Sequence, residues 1–156
     1  MLFFDRTYKF PFKYDVPNYT KEHLQKKNLL KRFLKFFKRY IYIVLMGQKN
    51  LEIFSILPKH QKILWINLSA PSLGDSLMDL SSRSLLVDKN VDLFTDVKNN
   101  DLYQDDEIFD NIFTQLKDMQ NIKYDLVILD SYSSRSIKIK SLIAPSTPYV
   151  GMFGYF

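Results

Sequence analysis

A parallel α/β fold is predicted by three observations in the second half of the chain. Short apolar runs at 63–68, 91–95 and 124–129 alternate with stretches in which apolar residues recur at helical spacing, the pattern of strands joined by crossover helices. The first run, Ile63-Leu64-Trp65-Ile66-Asn67-Leu68, passes through a small-residue loop, 69–72, into Leu73-Gly74-Asp75 and a helix-like period. The clearest buried strand, Leu126-Val127-Ile128-Leu129, runs into Asp130 and a Ser-rich turn. The expected architecture is a Rossmann-like parallel sheet flanked by helices over 62–156, preceded over 1–61 by an N-terminal arm and a basic amphipathic helix.

Residues 1–19 are aromatic, contain Pro11 and Pro17, show no period and read as an irregular arm. Thr20 is a helix N-cap, and the helix runs over 20–46 with Gly47 as its stop. Leu29, Leu30, Phe33, Leu34, Phe36, Phe37, Tyr40, Ile41 and Val44 recur at helical spacing, and Lys26, Lys27, Lys31, Arg32, Lys35, Lys38 and Arg39 fill the positions between. Its apolar face either packs on the domain or meets a membrane. Residues 47–61 are a connector with a short helix around 51–57, closed by Pro58. Strand 63–68 is followed by a helix over 74–87, strand 91–95, a polar loop over 99–107, a short strand over 108–113 and a helix over 114–121. Strand 124–129, a helix over 134–143 ended by Pro145, and a last strand over 149–152 complete the order. The closing Gly-Met-Phe-Gly-Tyr-Phe is apolar, where chain ends are normally solvated, so a domain that is truncated at a junction is expected.

With 156 residues, 46% hydrophobic and 15% aromatic, the chain can build one ordinary domain and its core. The absence of Cys excludes disulfides and thiolate metal sites and suits a reducing cytoplasm. His23 and His60 lack ligand spacing, so no metal is expected. The net charge of +5 conceals an asymmetry. Residues 1–49 carry 12 Lys and Arg against 3 Asp and Glu, the remainder 10 against 14. A basic arm on a mildly acidic domain predicts contact with an anionic surface. Residues 1–20 lack the continuous apolar core of a signal peptide. The longest uncharged apolar run, 40–47, is far short of the ~20 residues that span a bilayer.

Asp75 stands at the carboxyl edge of the first strand, the edge where open α/β sheets bind ligands. It has two readings: a helix cap favoured by the dipole, or a general base held ionised by its helix N-terminal position. The run Asp130-Ser131-Tyr132-Ser133-Ser134-Arg135-Ser136 reaches the same edge. Its hydroxyls, free backbone N–H groups and Arg135 make an anion site, or Ser133 or Ser134 merely caps the helix while Arg135 is solvated. Asp105-Asp106-Glu107 reads as a solvated loop and Arg83 as an exposed helix residue. No GxGxxG, GxxxxGK[ST], GxSxG or HExxH motif occurs.

At these residues the sequence resembles the family 9 glycosyltransferases, the bacterial heptosyltransferases of lipopolysaccharide core assembly. The resemblance rests on strand 63–68, the Ser-rich loop and Leu73-Gly74-Asp75, then Tyr124-Asp125 with the apolar run to Asp130, Arg135-Ser136, Ala144-Pro145 and Tyr149-Val150-Gly151. It covers roughly 62–154. The family often has Pro where Ser81 stands, and Gln-Gly after the position of Asp130.

The resemblance implies one half of a two-domain glycosyltransferase fold, binding the lipid A–core acceptor. It implies inverting transfer without metal or cofactor, from a nucleotide sugar, usually ADP-heptose, bound by a donor half that is missing here. Asp75 would be the base; Ser72, Gly74, Ser133, Ser134, Arg135 and Ser136 would line the acceptor side, with Arg135 facing an acceptor phosphate or carboxylate. A separate donor-binding chain and inactivity without it follow as expectations. So does a peripheral position on the inner face of the cytoplasmic membrane, held by helix 20–46. Phe33, Phe36 and Phe37 favour lipid over nucleic acid as that helix's partner. The competing expectation is a non-enzymatic membrane- or anion-binding module built on the same helix.

Overall fold

The structure is a computed structural model that describes residues 29–53, 55–68, 81–129 and 134–151. Among the described residues five strands form a parallel sheet: β1 (Lys62–Asn67), β2 (Asn90–Thr95), β3 (Phe109–Phe113), β4 (Leu126–Leu129) and β5 (Tyr149–Gly151), in the order β3-β2-β1-β4-β5. This is the Rossmann-like α/β arrangement expected from the sequence. The central strands β1 and β4 read as nearly continuous apolar runs because both of their faces are covered.

Alternation along the strands sorts their side chains to two cores. Ile63, Trp65, Val91, Leu93, Leu126 and Ile128 face one side, covered by Leu86 and by Tyr103 of helix α2 (Val97–Tyr103). Leu64, Ile66, Phe94, Val127 and Leu129 face the other. There they meet Ile137 and Ile139 of helix α3 (Ser134–Ile143), Met119, and Ile43 of helix α1 (Leu29–Leu45). Ile43, N-terminal to the whole sheet, therefore shares a core with β1 and β4.

Helix α1 ends where its glycine dictates. Gly47 has φ +66°, which an L side chain rarely adopts, and the Gln48 N–H donates to the Ile43 carbonyl at 2.9 Å while the Gly47 N–H donates to that of Val44 at 3.0 Å. That pair of bonds is a Schellman motif. The proposed cap at Thr20 lies outside the described residues.

Several element boundaries differ from the sequence reading. Among its described residues the connector holds only a 3-10 turn, Lys49–Leu51, in place of a helix around 51–57. Its next residues run extended beside the sheet edge: Glu52 bridges Tyr149, and the Ile53 N–H donates to the Tyr149 carbonyl at 2.9 Å. Edge pairing with β5 wins over local helix formation because it satisfies strand groups that would otherwise be open. Ser81–Leu86 is 3-10 rather than α-helix, in keeping with three serines in six residues, whose hydroxyls compete for the backbone. The first part of the polar stretch 99–107 is helical, because Asn99 and Tyr103 lie four residues apart and are both buried against the sheet, while 104–107 are the expected non-helical connection. The helix expected over 114–121 shrinks to the 3-10 turn Leu116–Met119, and Asn121, at φ 74°, turns the chain toward β4.

Candidate functional site at the carboxyl edge of the sheet

The chain leaves β1 toward β2 on one side, whereas β4 leads to β5 on the other. The crevice between β1 and β4 is thus the switch point where open α/β sheets bind ligands. The two strands run parallel in register, Ile66 opposite Leu129, and each leads into the segment that follows it in the chain. Those segments are 69–80 and 130–133. Ser72, Gly74, Asp75 and Ser133 all fall in them and lie outside the described residues.

Arg135, in the first turn of α3, is described, and it is not simply solvated. Its Nη2 donates to Asp96 Oδ1 at 2.7 Å and its Nη1 reaches Asp96 Oδ2 at 3.5 Å. Asp96 follows the last residue of β2. Because β1 lies between β2 and β4, this ion pair connects the two flanking strands' carboxyl ends across that of β1. The Arg135 side chain is 60% exposed, and an exposed pair of this kind contributes at most about 1 kcal/mol. The guanidinium therefore already holds a carboxylate and can exchange it for another anion at small cost. Ser134 beside it is exposed, whereas Ser136 is fully buried.

The same edge carries polar groups that the sequence reading passed over. Asn67, the last residue of β1, and Thr95, the last of β2, are buried; the Asn99 amide donates to Thr95 Oγ1 at 3.4 Å, tying α2 to the strand end. Asp96 was legible only as a strand boundary. The signal that could have found it is positional: it directly follows a parallel strand, at the edge where such sheets bind.

Other singled-out residues serve the opposite, amino edge. Asp125 Oδ2 accepts the backbone N–H groups of Lys62 at 2.9 Å and Gln61 at 3.1 Å, and these bonds hold its carboxyl below the usual range. The Tyr124 hydroxyl donates to Asp92 Oδ2 at 2.9 Å. His60 is buried, and its Nδ1 accepts the Leu57 N–H at 3.1 Å; burial lowers its pKa. Arg83 is not a free helix residue: its Nε donates to Asp106 Oδ2 at 2.5 Å, so Asp106 anchors the run, while Asp105 and Glu107 are exposed as the sequence reading expected. The physical reason is tertiary: the stretches before β2 and before β3 meet beside the sheet. Among the described residues no group of three His, Cys, Asp or Glu is placed to hold a metal ion.

No family model, no curated protein and no solved structure matches the chain.

Proposed function

We propose that this chain is the acceptor-binding half of an inverting glycosyltransferase of the heptosyltransferase type, acting on the lipid A–core acceptor. The observation that carries the reading is the strand order β2-β1-β4. In sequence the Leu73-Gly74-Asp75 and Ser-rich segments follow β1 and β4, which are neighbouring parallel strands, and Arg135 in the helix after β4 already binds a carboxylate.

In this reading Asp75 accepts the proton of the acceptor hydroxyl while that oxygen bonds to the anomeric carbon of the donor sugar. The bond from that carbon to the nucleoside diphosphate breaks, and the diphosphate leaves with the electron pair. Arg135 turns from Asp96 to a phosphate or carboxylate of the acceptor, and Ser72, Gly74, Ser133 and Ser134 belong to the surrounding acceptor side, whereas Ser136, fully buried, does not touch it. The nucleotide sugar, ADP-heptose by resemblance, is bound by a second Rossmann-like unit.

The test is sugar transfer from ADP-heptose to the lipid A–core acceptor, by this chain alone and with a family-type donor half added. Product is expected only in the mixture. Asp75→Ala should lower the rate by about a hundredfold or more, the usual contribution of a positioned general base. Arg135→Ala should act mainly through a higher KM for the acceptor. A folded chain that gives no product in either mixture refutes the reading.

A further inference from the structure

Helix α1 presents an apolar stripe that the sheet does not use. At 100° per residue, Leu34, Phe37, Ile41, Val44 and Leu45 fall within an arc of about 100°. They are 54%, 49%, 39%, 46% and 78% exposed. Among the described side chains of the helix, Ile43, about 160° around from Ile41, is the buried one, with Tyr42 packed beside the same core. The stripe therefore faces away from the sheet. Apolar side chains exposed singly are ordinary, but five on one helix face mark an interaction surface.

Charge identifies what covers it. The sequence of α1 holds Lys31, Arg32, Lys35, Lys38 and Arg39 and no acidic residue, within an N-terminal region of strong positive charge. The partner is apolar and anionic together. A bilayer of anionic phospholipid offers those two properties in adjacent layers, phosphates above acyl chains. Nucleic acid offers the charge without an apolar layer to receive aliphatic side chains.

Geometry decides how the helix would meet it. Seventeen residues make about 25 Å of helix, less than the ~30 Å of a hydrocarbon core, and the charges oppose crossing. Among the described residues no helix is long and apolar enough to cross a membrane. The C-terminal end of α1 is fastened to the domain by Ile43 and by Gln48, whose Oε1 accepts from Lys140 Nζ at 2.5 Å and whose Nε2 donates to the Pro145 carbonyl at 3.2 Å.

We propose that α1 docks the protein in the plane of an anionic phospholipid surface. Leu34, Phe37, Ile41, Val44 and Leu45 enter the acyl boundary, and the exposed Lys38, on the flank of the stripe, reaches the lipid phosphates. The proposal does not depend on the transfer reaction, because its readout is binding alone.

The test is co-sedimentation of the full chain with vesicles of phosphatidylcholine, with and without phosphatidylglycerol. The chain should pellet with the anionic vesicles and remain in solution with the neutral ones. Leu34→Gln with Ile41→Gln should lower the partition about tenfold or more. Lys38→Gln should lower it about fivefold. Both substituted apolar residues are exposed, so circular dichroism should be unchanged. Leu45→Gln, at the most exposed position of the stripe, provides an independent check with a smaller loss. Equal pelleting of wild type and the double variant overturns the proposal. So does a folded chain that ignores anionic vesicles, or one that binds neutral vesicles equally well.

Discussion

Asp92 is the most constrained side chain of the sheet. It has no exposed surface, yet it lies on a strand among apolar neighbours. Its charge is held by three donors: Lys62 Nζ at 3.0 Å and Asn111 Nδ2 at 2.9 Å on Oδ1, and the Tyr124 hydroxyl at 2.9 Å on Oδ2. These come from β1, from β3 and from the entry to β4, so one carboxylate joins the amino ends of four strands. Burial and the Asp92 charge together push the Tyr124 phenol well above its ordinary pKa. Asp92→Ala would leave the buried Tyr124 hydroxyl without its acceptor, while Lys62 keeps Asp110 at 3.3 Å, and is expected to cost about 1–3 kcal/mol in urea unfolding. A loss below about 1 kcal/mol would show that the cluster contributes no more than an exposed ion pair. The Asp96–Arg135 pair at the other edge contrasts with it: exposed, and weak enough to exchange.

Between elements, the decisive joint is that of α1 with α3. Lys140 of α3 is fully buried, with Nζ donating to Gln48 Oε1 and to the Pro145 carbonyl, and lying 5.4 Å from the centre of the Tyr149 ring. Neither oxygen belongs to an ionised group, and burial draws its pKa down from 10.5 to about 8. The unfolded chain then binds the proton more tightly than the folded one, so stability should rise as pH increases from about 8 toward 10.5. The shift corresponds to a gain of at most about 3 kcal/mol. Above about pH 10 the raised Tyr124 pKa opposes this, since the unfolded tyrosine ionises more readily than the folded one. Melting curves across this range should therefore show a maximum near pH 10, and Lys140→Met should abolish the rise. A wild-type curve that is flat or falling from pH 8 would mean that the buried lysine keeps its proton across this range, as it does in the unfolded chain.

On the scale of the molecule, the five strands and the residues ahead of them form one packed body. Ile43 and Leu51 pack into the core on the α3 face, and Ile53 packs into the core on the α2 face beside Val150. Extended pairing at Glu52 and Ile53 closes the outer edge of β5. Amide exchange reads this directly. The Gln48 and Ile53 N–H groups, each bonded at 2.9 Å, should exchange with the protection of the sheet amides. Exchange as fast as that of an exposed loop would mean that the segment opens independently of the sheet.

The sequence by itself determined the class of fold and most of its strands, because a strand buried on both faces must be a short apolar run and such runs are conspicuous at 63–68, 91–95 and 124–129. It determined α3 and the stop of α1 at Gly47 for equally local reasons, a helical period before Pro145 and a residue free to take positive φ. It also named Arg135, whose place after a strand marked it for the binding edge. Elements with weak local signals were decided by tertiary structure alone. Helix α2 exists because Asn99 and Tyr103 find the sheet, and Glu52 and Ile53 extend because Tyr149 presents an open edge. Pairings distant in sequence were equally hidden: Arg83 with Asp106, Asp96 with Arg135, and Gln48 with Lys140 are joined by the order of the strands. The same holds for the face of α1. A periodic pattern shows that a helix has an apolar side, but only the packing of Ile43 shows which side the sheet takes and which is left outward.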